Sequence, residues 1–386
     1  MNNFTFHMPT TVHFGKGQIS HLAELKQTGD KVLMIYGGGS IRRTGIYDAA
    51  VKILKEQEIQ IYELPGVEPN PKIQLVRKGV ELCKKEQIDM VLAIGGGSSI
   101  DTAKLVAAGA CYEGDPWELM EDSSRITAAL PIYCILTLAA TGSEMDSSSV
   151  VSDPAINAKR DIACDFLLPT MSILDPEYTF TVPPKQTAAG SVDIMSHVFE
   201  SYFIHDKGAV VQQHMAEAIL KTVITYAPIA MQHPDDYDAR ANLMWCSTLA
   251  LNNIIIYGGG DATWCVHPIE HEVSAYYDIT HGVGLAILTP VWMRYVLSAE
   301  TAPLFASYGR NVWDLSREAD DMETAKEAIE KTASFFSSLG MPSKLSELGI
   351  DSTHFREMAA SAVRFCEGCY VPLTEEDIYQ IYMLAL

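Results

Sequence analysis

Two apolar runs, each cut off by three glycines, constrain this chain more than any other feature. The first is Lys31-Val32-Leu33-Met34-Ile35-Tyr36, ended by Gly37-Gly38-Gly39-Ser40. The second is Met90-Val91-Leu92-Ala93-Ile94, ended by Gly95-Gly96-Gly97-Ser98-Ser99. A short apolar run without alternation is a strand covered on both faces. Helical periodicity follows each turn, from about Gly45 to Glu56 and again from Asp101, with residues 71 to 87 forming another helix. Strand, glycine turn and helix in repetition call for parallel βαβ units. Ile59–Leu64, Pro131–Thr137 and Met171–Leu174 supply further strands, and Phe4–Phe6 and Thr11–Gly15 read as short extended segments. After Val182-Pro183-Pro184-Lys185 the strand signals fade and helical segments run almost to Leu386. The expectation is an α/β domain over residues 1–182 and an all-helical domain over residues 183–386.

The bulk chemistry narrows the class of partner. A chain of 386 residues with 49 acidic and 28 basic side chains carries a formal charge of −21, which argues against nucleic acid or an anionic membrane. No apolar run approaches the roughly 18 residues of a membrane span, and the N-terminus lacks a basic start and apolar stretch for export. A cytoplasmic protein is expected. Its eight cysteines are scattered, as reduced thiols would be. Cys366-Glu367-Gly368-Cys369 is the one close pair, and without a second pair it does not read as a zinc or redox motif.

Glycine removes the Cβ, so a phosphate can approach backbone amides at a helix start. Neither turn fits the strict G-x-G-x-x-G spacing, because Arg42 and Ile100 occupy the last positions. Tight turns without ligand are the bland reading, weakened by having two in one sheet with Thr137, Thr141 and Ser143 nearby. The first turn, Gly37, Gly38, Gly39 and Ser40, holds no carboxylate and is followed by Arg42 and Arg43. A ribose 2′-hydroxyl calls for an acid there and a 2′-phosphate for positive charge, so NADP(H) is favoured over NAD(H).

Two pairs at helical spacing suggest a metal. Asp193 and His197 are four residues apart, as are His267 and His271, with His281 ten further on. Pro268 suits a first helical position, which would put His267 and His271 on one face. One carboxylate with two or three imidazoles is a nitrogen-and-oxygen divalent site. His7, His13, His205, His214, His233 and His354 read as ordinary structural histidines.

Taken together, Gly37–Ile41, Gly95–Lys104, Thr141-Gly142-Ser143-Glu144, Leu174-Asp175-Pro176, Asp193 with His197, and His267 through Gly282 resemble the iron-containing (group III) alcohol dehydrogenases, specifically the branch of butanol dehydrogenases and NADPH-dependent aldehyde reductases. The resemblance implies a dehydroquinate synthase-like fold, with a dinucleotide-binding α/β domain and a helical metal- and substrate-binding domain. It implies Asp193, His197, His267 and His281 as ligands to Fe²⁺ (or Zn²⁺), with His271 on the reaction side as a proton relay. Gly95, Gly96, Gly97 and Ser98, with Ser99 beside them, would cradle the pyrophosphate; Asp101 would lie toward the nicotinamide. Thr137, Thr141 and Lys159 would be further cofactor contacts, Lys159 at the nicotinamide ribose. A homodimer acting on a small primary alcohol or aldehyde is implied as well. Leu138 and Ala139 depart from the residues many relatives carry there.

Two other readings compete. A lyase like dehydroquinate synthase would need several cations for its acidic substrate, and between Lys185 and Tyr295 only Lys207, Lys221, Arg240 and Arg294 follow Lys185. An NAD enzyme like glycerol dehydrogenase is nearer. Trp264, Tyr257, Tyr276 and Phe365 are candidate substrate walls.

Overall fold

The computed structural model describes residues 1–205, 208–260, 264–366 and 368–386. Lys207 and Glu367 of the cysteine pair lie outside the described residues. Two compact units emerge. One joins His7–Val182 with Pro234–Thr248; the other joins Met1–Phe6, Pro183–His233 and Leu249–Leu386.

Eight strands are formed among the described residues, β1 (Thr11–Phe14), β2 (Lys31–Tyr36), β3 (Gln60–Pro65), β4 (Met90–Gly95), β5 (Ile132–Leu136), β6 (Ser148–Asp153), β7 (Ala158–Ala163) and β8 (Met171–Leu174). Six of them make one parallel sheet in the order β1-β8-β5-β4-β2-β3. The apolar runs take interior places, and every residue of β4 and β5 is buried. Polar β1 and β3 take the edges, where unpaired backbone can meet water. Successive side chains alternate faces. Leu33, Ile35 and Val91 therefore pack with the helices Ile73–Glu86 and Gly97–Ala110, while Val32, Met34 and Leu92 pack with Ile46–Glu56 and the 3₁₀ segment Gln18–Gln27.

Several expectations meet corrections. Phe4–Phe6 forms no strand; Phe4 and Phe6 pack on Tyr257 instead, and the Asn2 amide donates to Gly258 O, which ties the N-terminus to the helical unit. Pro234–Thr248 is held in the sheet unit, where Ser247 Oγ accepts from the Gly142 amide and Thr248 Oγ1 donates to Glu144. The two stretches 1–182 and 183–386 differ from the observed units by these two segments. A second, antiparallel ribbon of β6 and β7 also lies between β5 and β8 in sequence. Its polar, alternating residues carried no strong strand signal.

The helix expected from Asp101 starts at Gly97, so the glycine turn is itself the first helical turn. Twelve of its fourteen residues are buried, Lys104 among them at 0 % exposure. Lys104 Nζ donates to Asp146 Oδ1 at 2.6 Å, to Asp146 O at 2.9 Å and to Ser148 O at 2.8 Å. This satisfies all three ammonium hydrogens and ties the helix to the start of β6. Removing one partner of a buried pair strands the other's charge. Lys104→Met is expected to destabilise the protein by about 3–5 kcal/mol, measured by urea unfolding.

Candidate functional site

The donors expected to hold a metal all lie in the helical unit. Asp193 and His197 sit on the helix Pro184–Tyr202, whose residues from Thr187 onward are buried. His267 and His271 sit on the helix Val266–Tyr277, and His281 opens the helix His281–Val296. The first of these latter two helices begins two residues before Pro268, earlier than expected. Glu200 explains it. Its carboxylate accepts from the Cys265, Val266 and His267 amides at 2.8, 2.9 and 3.0 Å, satisfying donors that a helix start leaves open. The lead-in is fastened from the other side by Cys366 Sγ on Cys265 O and Cys369 Sγ on Trp264 O. That gives the C-x-x-C pair a structural role, and all eight cysteines are free.

The structure brings Asp193, His197 and His267 together with one donor atom each inside a 4.8 Å span. Asp193 Oδ1 lies 3.8 Å from His197 Nδ1, 3.8 Å from His267 Nε2 and 3.7 Å from His281 Nε2. These separations are too long for hydrogen bonds. They approach the roughly 3.4 Å between two ligands on one tetrahedral ion with bonds of about 2.1 Å. Asp193 Oδ1, His197 Nδ1 and His267 Nε2 are buried and have no hydrogen-bond partner. Buried polar atoms are ordinarily paired, so three orphans converging on one point suit the donors of a cation site.

The electrostatics agree. Burial alone would raise the Asp193 carboxyl, but His197, His267 and His281 outweigh it and hold it well below the usual carboxylate range. Burial, reinforced by His267 and His281 and only partly opposed by Asp193, lowers His197 to about 3. Burial would lower His267 too, yet Asp193 and Glu200 raise it to about 9. In the absence of an ion, the negative field draws a proton onto that ring.

Two glutamates that the sequence reading missed orient the rings. Glu200 Oε1 lies 3.1 Å from His267 Nδ1, and Glu270 Oε2 is bonded to His281 Nδ1. A carboxylate can only accept, so each ring carries its proton on Nδ1 and presents the Nε2 lone pair toward Asp193. Ser274 Oγ also donates to Glu270 Oε1, at 2.5 Å. Gly284 makes room for Glu270, since a Cβ there would stand 2.6 Å from its carboxylate; a Cβ at Gly282 would strike the Ala189 backbone. His271 lies one turn beyond His267, buried, with its ring centre 5.2 Å from that of His281.

Of the four aromatics named as walls, Trp264 alone stands by this cluster, edge-on to His267 at 5.1 Å and to His197 at 6.3 Å. Tyr276 packs on His354, Tyr257 on Phe4 and Phe6, and Phe365 is exposed. Two of the cations counted for a lyase substrate are engaged elsewhere: Lys221 pairs with Asp314 and Arg294 with Glu330.

The sheet unit holds the expected cofactor residues. Gly96 caps the helix Gly97–Ala110 and no side chain bonds that start. A Cβ on Gly96 would stand 3.1 Å from Leu138, and one on Gly97 would overlap Thr141. Ser98 and Ser99 fall in the first turn, with Ser99 buried. The Thr137 amide donates to Gly95 O, bringing the loop after β5 against the turn. Asp101 accepts from Ser143 Oγ at 2.7 Å, and burial raises its carboxyl to about 7. Lys159 is buried on β7.

The first turn differs. Gly37 to Gly39 lead into a helix of only four residues, Ser40–Arg43, and a Cβ at Gly38 would meet nothing within 4 Å. Arg42 stacks on Tyr47 at 3.6 Å and donates to Tyr36 Oη at 2.7 Å and to Glu63 Oε2 at 3.0 Å. Parallel pairing of β2 with β3 puts Glu63 there, an acid invisible to a reading confined to the turn. Arg43 is exposed. The positive charge at this turn is thus smaller than two unpaired arginines would give.

Known proteins match the chain throughout. The model for iron-containing alcohol dehydrogenases matches residues 9–176, and that for the C-terminal region of the same family matches residues 187–386. An NADH-dependent butanol dehydrogenase A of Clostridium acetobutylicum is 54 % identical over 99 % of both chains. An NADPH-dependent aldehyde reductase of Escherichia coli is 38 % identical over 92 % of this chain and 91 % of that one. The crystal structure of an NADH-dependent butanol dehydrogenase A from Thermotoga maritima superposes with a TM-score of 0.94 at 37 % identity, covering 100 % of this chain and 99 % of that one. This chain belongs to the iron-containing alcohol dehydrogenase family.

Proposed function

We propose that the protein is a metal-dependent alcohol dehydrogenase or aldehyde reductase that transfers hydride between NADP(H) and a small primary alcohol or aldehyde of the butanol and butyraldehyde kind. The observation that carries this reading is the set of buried, partnerless atoms on Asp193, His197 and His267, with His281 Nε2 beside them. Asp193, His197, His267 and His281 would hold the ion; Fe²⁺ is our assignment, and Zn²⁺, above it in the affinity order, suits the same donors. A divalent ion there would polarise a carbonyl or alcohol oxygen, and the nicotinamide would supply or accept the hydride.

The chain's own residues do the rest. Asp193 supplies the only charge among the four donors, while Glu200 and Glu270 fix the rings of His267 and His281. The imidazole of His271 would hold or release the alcohol proton as a general acid and base. Gly95, Gly96, Gly97, Ser98 and Ser99 would bind the pyrophosphate at an uncapped helix start. Asp101, Thr137, Thr141 and Lys159 would place the nicotinamide half.

Gly37, Gly38, Gly39, Ser40 and Arg43 would meet the adenosine ribose. Open space at Gly38 and the exposed Arg43 support a 2′-phosphate; the Glu63 carboxylate that holds Arg42 supports a modest preference, with NADH also used. The relatives' names divide in the same way. A homodimer in the cytoplasm completes the proposal. No helix among the described residues is long and apolar enough to cross a membrane.

Two experiments test this reading. Asp193→Ala should lower the rate of NADPH oxidation with butyraldehyde at least about a thousandfold, the loss of several kcal/mol of charge stabilisation. Full turnover in that variant after metal depletion would refute the assignment. Gly38→Asp should lower the ratio of NADPH to NADH catalytic efficiency about tenfold or more, since one carboxylate near the phosphate costs upward of roughly 1.4 kcal/mol. An unchanged ratio would move the 2′-phosphate away from this turn.

A further inference from the structure

A second group of metal-type donors lies in the sheet unit and shares no residue with the first. His13 comes from edge strand β1, and His21 and Glu24 from the 3₁₀ segment Gln18–Gln27 that follows it. Each contributes one donor atom, and the three atoms lie within 4.8 Å of one another. The His13 and His21 rings stack with centres 3.5 Å apart and planes 11° from parallel. His21 Nδ1 meets Glu24 Oε1 at 2.5 Å. His13 Nε2 is buried with no hydrogen-bond partner.

The backbone that presents these side chains is held in place. Only a short turn separates His13 from His21, and the Gly17 amide within it donates to Asp175 Oδ2 at 2.8 Å. Gly17 takes φ 73°, the left-handed conformation that this tight reversal requires. A neutral imidazole is the form that ligates a metal.

We propose that His13, His21 and Glu24 form a second divalent-metal site, for a borderline ion of the Zn²⁺, Ni²⁺ or Cu²⁺ class, which staples the edge strand to the segment after it. Two imidazoles and one carboxylate are the donor set such ions take, with water completing the coordination. Parallel rings direct their lone pairs along parallel planes, so binding tilts the rings apart. His21 and Glu24 have side chains 35 % and 49 % exposed, which leaves them free to turn. Binding replaces the contact between His21 and Glu24 and gives His13 Nε2 its partner. Because β1 has only four residues and lies at the sheet's edge, one extra tie there has leverage on local stability.

Equilibrium dialysis of the full-length protein against Zn²⁺ tests this directly. The parent should hold two ions per chain, one in the helical unit and one here. His13→Gln and His21→Gln should each hold one, with aldehyde reduction unchanged. X-ray absorption of the ion lost in the variants should show two imidazole nitrogens. His21 is partly exposed, so His21→Gln should keep the fold even where a change at His13 does not. A parent that holds one ion, or a His21→Gln variant that still holds two, would overturn the proposal. Loss of catalysis in the Asp193→Ala variant with the second ion retained would leave the two sites separately established.

Discussion

A buried carboxylate among three imidazoles, with no hydrogen bond to any of its neighbours on one oxygen, is the constraint on which the helical unit turns. Asp193 is 3 % exposed, and an isolated buried charge is too costly to keep unless something opposes it. Part of the opposition is a proton: Asp193 and Glu200 drive His267 up, whereas burial drives His197 down. A divalent ion, as proposed, would satisfy all four donors at once. Three helices present them: one long buried helix carries Asp193 and His197, a second started by Glu200 carries His267, and a third is opened by His281.

Glu200 does two jobs with one carboxylate. It satisfies three amides at a helix start and orients the His267 ring. One carboxylate therefore couples the helix start to the orientation of the His267 ring. Glu270 acts similarly on His281, and Gly284 is small so that it can. These carboxylates were not legible in the sequence. Positions 200 and 270 show no spacing that separates them from other acids on helices, and their role depends on contacts spanning 67 and 11 residues.

The parallel sheet, in contrast, was legible, because unbroken apolar strands ended by glycine admit few other folds. The spacings of Asp193 with His197 and of His267 with His271 and His281 were legible too, whereas the proposed division of labour between His271 and His281 rests on family resemblance. What failed did so for identifiable reasons. The start of the Gly97 helix was placed late because glycine is a poor helix former and masks a first turn. The charge at Arg42 was overcounted because Glu63 arrives from a neighbouring strand. Local patterns fix elements; the pairing of charges depends on topology.

The two units divide the chemistry. The sheet unit offers an uncapped helix start framed by glycines, and the helical unit offers the donor set. The family models match both halves of the chain. The most direct test of the account is metal analysis with X-ray absorption on protein purified without oxygen or added metal, and with the His13 site removed by His21→Gln. The account predicts about one ion per chain, bound by three imidazole nitrogens and a carboxylate oxygen. Protein that turns over fully while holding no ion, or an ion whose ligands are not imidazoles, would contradict it.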